Sequence, residues 1–183
     1  MKNKSKKLVV VLVILILLAM AVAYAAVSQT LTITGTARVT ADVSQVVFTD
    51  NQLTSSSTGV VDNSANPSFT DTTVTFDVTL PEPGAEAVYT ATITNKGNSN
   101  AVLNSTKYFL GTDTTGEATT LELINEANPA GLEFKVSEIP ASINAGDSAT
   151  VTVTAYWNEE VPNIAADASK TMTLELVYGV PTV

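Results

Sequence analysis

The sequence predicts an all-β protein: an antiparallel two-sheet sandwich of jelly-roll or immunoglobulin-like type, with about eight strands, preceded by an N-terminal apolar helix. Three observations predict it. Apolar residues recur at every second position in short runs, the period of a strand with one buried face. The chain after residue 25 is rich in Thr and Val, whose branched Cβ suits a pleated surface. Polar and Gly/Pro turn signals separate the runs.

The expected apolar helix is the run 8–26, LVVVLVILILLAMAVAYAA, which carries no charge and follows Lys2, Lys4, Lys6 and Lys7. A basic head, an apolar stretch and small residues at its end make an export signal. Ala23 and Ala25 fit the A-x-A cleavage pattern, which leaves Ala26 as the first mature residue. The run also approaches the ~20 residues that span a bilayer as a helix, so an uncleaved anchor is the alternative. Either way the lysines stay on the cytoplasmic side and the rest is translocated. The expected domains are 1–25, signal peptide or membrane anchor, and 26–183, a β-sandwich that is extracellular or on the cell surface. It would meet the membrane only through residues 1–26, if these are retained.

In chain order, residues 29–39 (QTLTITGTARV) alternate, with Leu31 and Ile33 on one face and Thr30, Thr32 and Thr34 on the other. Gly35 breaks the pattern and suggests a bulge or a bend. A second strand is expected over 43–49. Residues 51–66 read as a long surface loop with one short strand at Val60-Val61. In 72–80, Val74, Phe76, Val78 and Leu80 share a face, and Pro81 and Pro83 stop the strand. In 86–95, Tyr89, Ala91 and Ile93 do the same, and a turn at 95–98 leads to a return strand at 101–104. Another short strand is read at 107–110. Residues 119–127 favour a short helix, ended by Asn128-Pro129. Residues 132–136, 150–157 and 170–178 alternate again, placing Phe134, Val153, Trp157, Leu174 and Tyr178 inward.

Past residue 25 there are five basic and eighteen acidic residues, a formal charge of −13. That sign argues against nucleic acid, whose phosphates call for a basic footprint, and against anionic lipid heads. The chain has no Cys and no His, so Ser-His-Asp and Cys-His nucleophiles are excluded and the commonest transition-metal ligands are missing. The acidic pairs Glu82/Glu86 and Glu159/Glu160 read as solvated surface charge, not as facing glycosidase carboxylates. No catalytic or cofactor-binding residues are assigned. Calcium is the one cofactor with any sequence support. Asp50-Asn51, Asp62-Asn63 and residues 113–117 (DTTGE) are oxygen-rich, yet none follows the twelve-residue calcium loop.

Two stretches carry a resemblance. One is the signal end running into SQTLTITGTARV. The other is PEPGAEAVYTATITNKGNSNAVL at 81–103, with a comparable turn-then-strand unit, NAGDSATVTVTAYW, at 144–157. Together they resemble exported proteins of the TasA/camelysin family, bacterial biofilm-matrix fibre subunits. The resemblance implies a jelly-roll-like sandwich and a homo-oligomer or filament, built by donating an N-terminal strand into the next subunit. The matching segment is 26–38, and Leu31, Ile33, Gly35 and Val39 are the donor-strand candidates. The mature chain would begin Ala26-Val27, where family members often have Ala-Phe. An edge strand can be completed by any free extended segment. Residues 29–39 as the first strand of their own sandwich is the competing reading.

Overall fold

The computed structural model describes residues 31–41, 45–164 and 168–181. The apolar run with Ala23, Ala25 and Ala26 lies outside the described residues, as does the start of the donor segment. Among the described residues there are ten strands and one short helix: β1 (Leu31–Ala41), β2 (Val46–Ser56), β3 (Val61–Asp62), β4 (Thr73–Leu80), β5 (Glu86–Asn95), β6 (Ala101–Leu110), α1 (Leu121–Glu126), β7 (Leu132–Val136), β8 (Ser142–Ile143), β9 (Ser148–Trp157) and β10 (Ser169–Gly179). No helix among them is long and apolar enough to cross a membrane.

The strands form two sheets. One has six strands in the order β3-β4-β1-β10-β6-β8, and the other has four in the order β2-β5-β9-β7. The chain passes from one sheet to the other at most steps, so neighbours in a sheet are mostly distant in sequence. Alternation along each strand makes the two facing layers. Val74, Phe76, Val78 and Leu80 from β4 and Met172, Leu174, Leu176 and Tyr178 from β10 meet Ala87, Tyr89, Ala91 and Ile93 from β5, all buried. Trp157 at the end of β9 is also buried, and its indole N–H donates to the Val161 carbonyl at 2.9 Å. The expectation that Trp157 and Tyr178 serve the core is met.

The expected two-sheet, mostly antiparallel sandwich is present; among the described residues it has ten strands, and one pair is parallel, β1 with β10. Several expectations need correction. The stretch 51–66 is not one long loop. β2 continues to Ser56 because its mostly polar half, 52–56, is still paired with β5 on an exposed edge, where only Leu53 packs against the core. Asp50 and Asn51 therefore lie in a strand, beside a bulge between Phe48 and Asp50. The pieces read at 101–104 and 107–110 are one strand, β6. Gly35 makes no bend, since β1 pairs continuously through it on both sides.

Three buried side chains, Asn95, Tyr178 and Lys170, are hydrogen-bonded to backbone groups that tie elements together. Asn95, fully buried, donates from Nδ2 to the Ser99 and Ile143 carbonyls at 2.8 and 3.1 Å, and its Oδ1 accepts the Gly97 N–H at 3.0 Å. Tyr178 donates its hydroxyl to the Pro140 carbonyl at 2.8 Å. Lys170, 2 % exposed, points its ammonium at the end of α1 and donates to the Ile124 and Asn125 carbonyls at 2.9 and 3.0 Å. These carbonyls carry the partial negative charge of a helix C-terminus.

Burial pushes the Lys170 pKa down to about 8, against a partial upward pull from Glu133. Folded Lys170 thus holds its proton less tightly than in the unfolded chain. The resulting cost to stability is fully present below about pH 8 and vanishes as pH rises towards the free lysine value of ~10.4. Burial also pushes Tyr178 and Tyr156 up to about 12, and Tyr89 higher. Unfolded phenols ionise near ~10, so stability falls again above that pH. Urea denaturation is expected to show stability rising from about pH 8 to a maximum between about 9 and 10, then declining. In Lys170→Met the rise disappears and the decline stays.

Candidate functional site: the β1 slot

β1 lies inside the six-stranded sheet, not at its edge. It pairs antiparallel with β4 over residues 31–38 and parallel with β10 over residues 32–41. The neighbours come from opposite parts of the chain. Withdrawing β1 would therefore leave two unpaired strand edges facing each other across one strand's width, about 10 Å. Leu31, Ile33, Ala37 and Val39 are all at most 3 % exposed and point into the core, and Gly35 is buried between them. Thr32, Thr34, Thr36 and Arg38 alternate on the outer face. The donor-strand candidates Leu31, Ile33, Gly35 and Val39 thus share one inward face. In this chain that face fills the chain's own sheet.

Gly35 stands directly opposite Phe76 of β4. A Cβ added at Gly35 would sit 1.5 Å from Phe76 Cε2 and 2.1 Å from Cζ. The phenyl ring covers the bare backbone of Gly35, an aromatic over a strand glycine. The ring is held in turn by Tyr89 and Phe134, with centroids at 5.6 and 6.3 Å. Gly35 is needed for this close approach and not for its own backbone angles.

On the outer face, three charges line up across three strands. Arg38 of β1 is opposite Glu175 of β10, which is opposite Lys107 of β6. Glu175 accepts from Lys107 Nζ at 3.2 Å and lies 3.9 Å from Arg38 Nη1, which also donates to Thr114 Oγ1 at 2.8 Å. Glu175 is the most enclosed of the three, with 14 % of its side chain exposed. The triad fixes which residue of β10 meets which residue of β1.

The oxygen-rich segments do not make a metal centre of three or more acidic groups among the described residues. Asp62 accepts the Tyr89 hydroxyl at 2.8 Å and the Ser64 N–H at 2.9 Å. Asp113 accepts the Thr115 hydroxyl and N–H at 2.7 and 2.8 Å, and these bonds hold its carboxyl below the usual range. Asp50 accepts from Gln52 and the Asn51 N–H. Asp50 and Asp113 are engaged within their own strand or loop, and Asp62 ties β3 to Tyr89 of β5 in the other sheet. Sequence reasoning missed Phe76, Glu175 and Lys107 as parts of the slot. Only cross-strand register marks them out, Phe76 and Glu175 against β1 and Lys107 against β10, and it joins segments far apart in the chain.

Gly35→Ala is expected to lower stability by about 1–3 kcal/mol through overpacking against Phe76. In a Phe76→Ala background the same change should cost less than half as much, because the ring is gone. Urea denaturation of the four proteins of this double-mutant cycle measures the coupling. Equal costs in both backgrounds would show that the ring does not set the need for glycine.

No family model matches this chain, and no curated protein matches it. Among solved structures it is similar to an ASH/PapD-like domain of human CEP192, PapD-like domain 7, at 16 % identity over 56 % of this chain and 77 % of that one. The TM-score is 0.26, too loose a superposition for any property to be carried across.

Proposed function

We propose that this chain is an exported, non-enzymatic structural protein, a subunit of a surface or biofilm-matrix fibre. Assembly occurs when β1 of one copy fills the slot between β4 and β10 of the next. The observation that carries this reading is the position of β1, the first described segment of the chain and yet an interior strand of the larger sheet. A second copy offers an identical strand. It would make the same ladder bonds, place Gly35 under the same Phe76 ring and meet the same Glu175. Exchange of an identical element between copies is a low-cost route to association. If the second copy passes its own slot on instead of closing a pair, the contact is head-to-tail and grows a filament.

The outer edges of both sheets support the same reading, since as they stand, with Asn125 seated on β7, they offer little to an incoming strand. β3 and β8, which end the six-stranded sheet, are two residues each. β2 is bulged at two places. At β7, the Asn125 side chain occupies the edge: its Nδ2 donates to the Phe134 carbonyl at 2.8 Å and its Oδ1 accepts the Phe134 N–H at 2.9 Å. Short, bulged and covered edges resist edge-to-edge pairing. A net negative exported part further keeps copies soluble until strands exchange.

A membrane-tethered binding or adhesion module is the second reading, favoured by the length of the apolar run 8–26. N-terminal sequencing of the exported protein separates the two. A start at Ala26 fits release into a fibre, and a start at Met1 fits a tether.

The chain has no cysteine, so an engineered pair reports cleanly on exchange. Thr36→Cys with Thr75→Cys places two thiols at directly opposed positions of β1 and β4. In secreted material oxidised at high concentration, exchange predicts a ladder of covalent multimers on a non-reducing gel. Disulfides found only within single chains would rule out strand donation.

A further inference from the structure

β7 (Leu132–Val136) reads LEFKV and is the outer strand of the four-stranded sheet. The bonds from Asn125 show that Phe134 turns its N–H and C=O away from β9, towards the open side. The antiparallel period gives Leu132 and Val136 the same orientation. Consistent with this, the Leu132 N–H meets the Pro129 carbonyl at 3.4 Å, while Ser137, on the other parity, donates to Thr152 of β9. An open groove of about 630 Å³ runs between α1 and this edge, lined by Leu121, Asn125, Gly131, Phe134, Val136 and Val161 among others.

The strand is complementary to itself. If two copies of β7 are laid antiparallel with a two-fold axis at Phe134, Glu133 of each copy stands opposite Lys135 of the other, and Leu132 stands opposite Val136. Opposite charges directly across a strand pair are favourable, and like charges are not. The same axis pairs Phe134 with Phe134 through the outward groups that Asn125 now occupies. Both charges are already held at the outer face. Glu133 accepts from the Tyr156 hydroxyl and from Asn158 Nδ2, and Lys135 Nζ lies 3.9 Å from the centre of the Tyr156 ring.

We propose that β7 is a docking edge for a second copy of this chain, and that α1 is a plug holding the place the second β7 would take. α1 has six residues, too few to be stable alone. It is held by a few contacts: Ile124 in the core, the Lys170 ammonium on its last carbonyls, and the Asn125 amide on β7. The Asn125 amide stands in for a strand's peptide group, with one donor and one acceptor on one residue. Releasing it frees two backbone groups that the second copy's Phe134 satisfies. The partner is selected by charge: only a segment with an acidic and a basic residue in this order meets both Glu133 and Lys135. This pairing joins two four-stranded sheets edge to edge and is independent of the β1 slot.

Sedimentation equilibrium of the exported protein tests the proposal. Asn125→Ala should dimerise at a concentration at least tenfold below the parent. Adding Glu133→Lys should abolish the dimer, since Lys then faces Lys. Adding Lys135→Glu to that double variant should restore it. Strand exchange through β1 is indifferent to these charges, so the pattern separates the two contacts. An Asn125→Ala protein that folds and stays monomeric, or that dimerises regardless of charge, overturns the proposal. If Asn125→Ala does not fold, the unaltered protein supplies the test. Carbodiimide coupling of an isotope-mixed sample at high concentration should link Glu133 of one copy to Lys135 of another, and links between copies found only elsewhere would refute it.

Discussion

The larger sheet depends on one packing contact, the Phe76 ring lying over Gly35. Any side chain at 35 would occupy the space of that ring, so β1 can seat beside β4 in one register only. A slip by one residue would put threonines in the core and Leu31 and Ile33 in solvent. A slip by two would bring Ile33 or Ala37 under the ring. The register set there fixes the alignment of β10 on the other side, where Arg38 meets Glu175. Burial of Leu31, Ile33 and Val39 supplies the affinity, at about 1.5–3 kcal/mol for each fully buried side chain, and Gly35 supplies the specificity. The same division serves the strand whether it comes from the chain itself or from a second copy.

Of the five cations among the described residues, four are committed to structure. Arg38 and Lys107 flank Glu175, Lys135 lies against Tyr156, and Lys170 is buried against the end of α1. Most carboxylates are left to solvent, which keeps copies apart by long-range repulsion screened over about 10 Å at 0.1 M salt. The proposed association would then have to come from short-range contacts between strands. The fold guards these contacts. It buries β1, shortens β3 and β8, bulges β2 and sets Asn125 against β7.

Much of the sandwich was legible in the sequence because period-two alternation is local. Val74 to Leu80 on β4, Tyr89 to Ile93 on β5 and Met172 to Tyr178 on β10 point inward as the pattern dictates. The short helix was legible through its ending at Asn128-Pro129, and Thr120 caps its start by accepting the Leu123 N–H. The slot was only half legible. Leu31, Ile33 and Val39 announce a buried face, but nothing near them says that β10 lies alongside in parallel. Gly35 was misread as a bend because a glycine that makes room for a distant ring looks, in sequence, like one that turns the chain. The strand character of residues 52–56 was hidden because an exposed edge needs few apolar residues. Asn125 and Lys170 gave no signal, as their partners lie across the fold.

Strand donation requires β1 to be a seated but removable strand. Amide hydrogen exchange of the purified protein over residues 26–183, followed residue by residue, measures that directly. If β1 can leave its slot, the amides of residues 32–38 exchange together, through an opening distinctly cheaper than the one that releases β5 and β9. If the β1 amides exchange only with those of β5 and β9, in global unfolding, the strand does not leave its slot and donation through β1 is excluded.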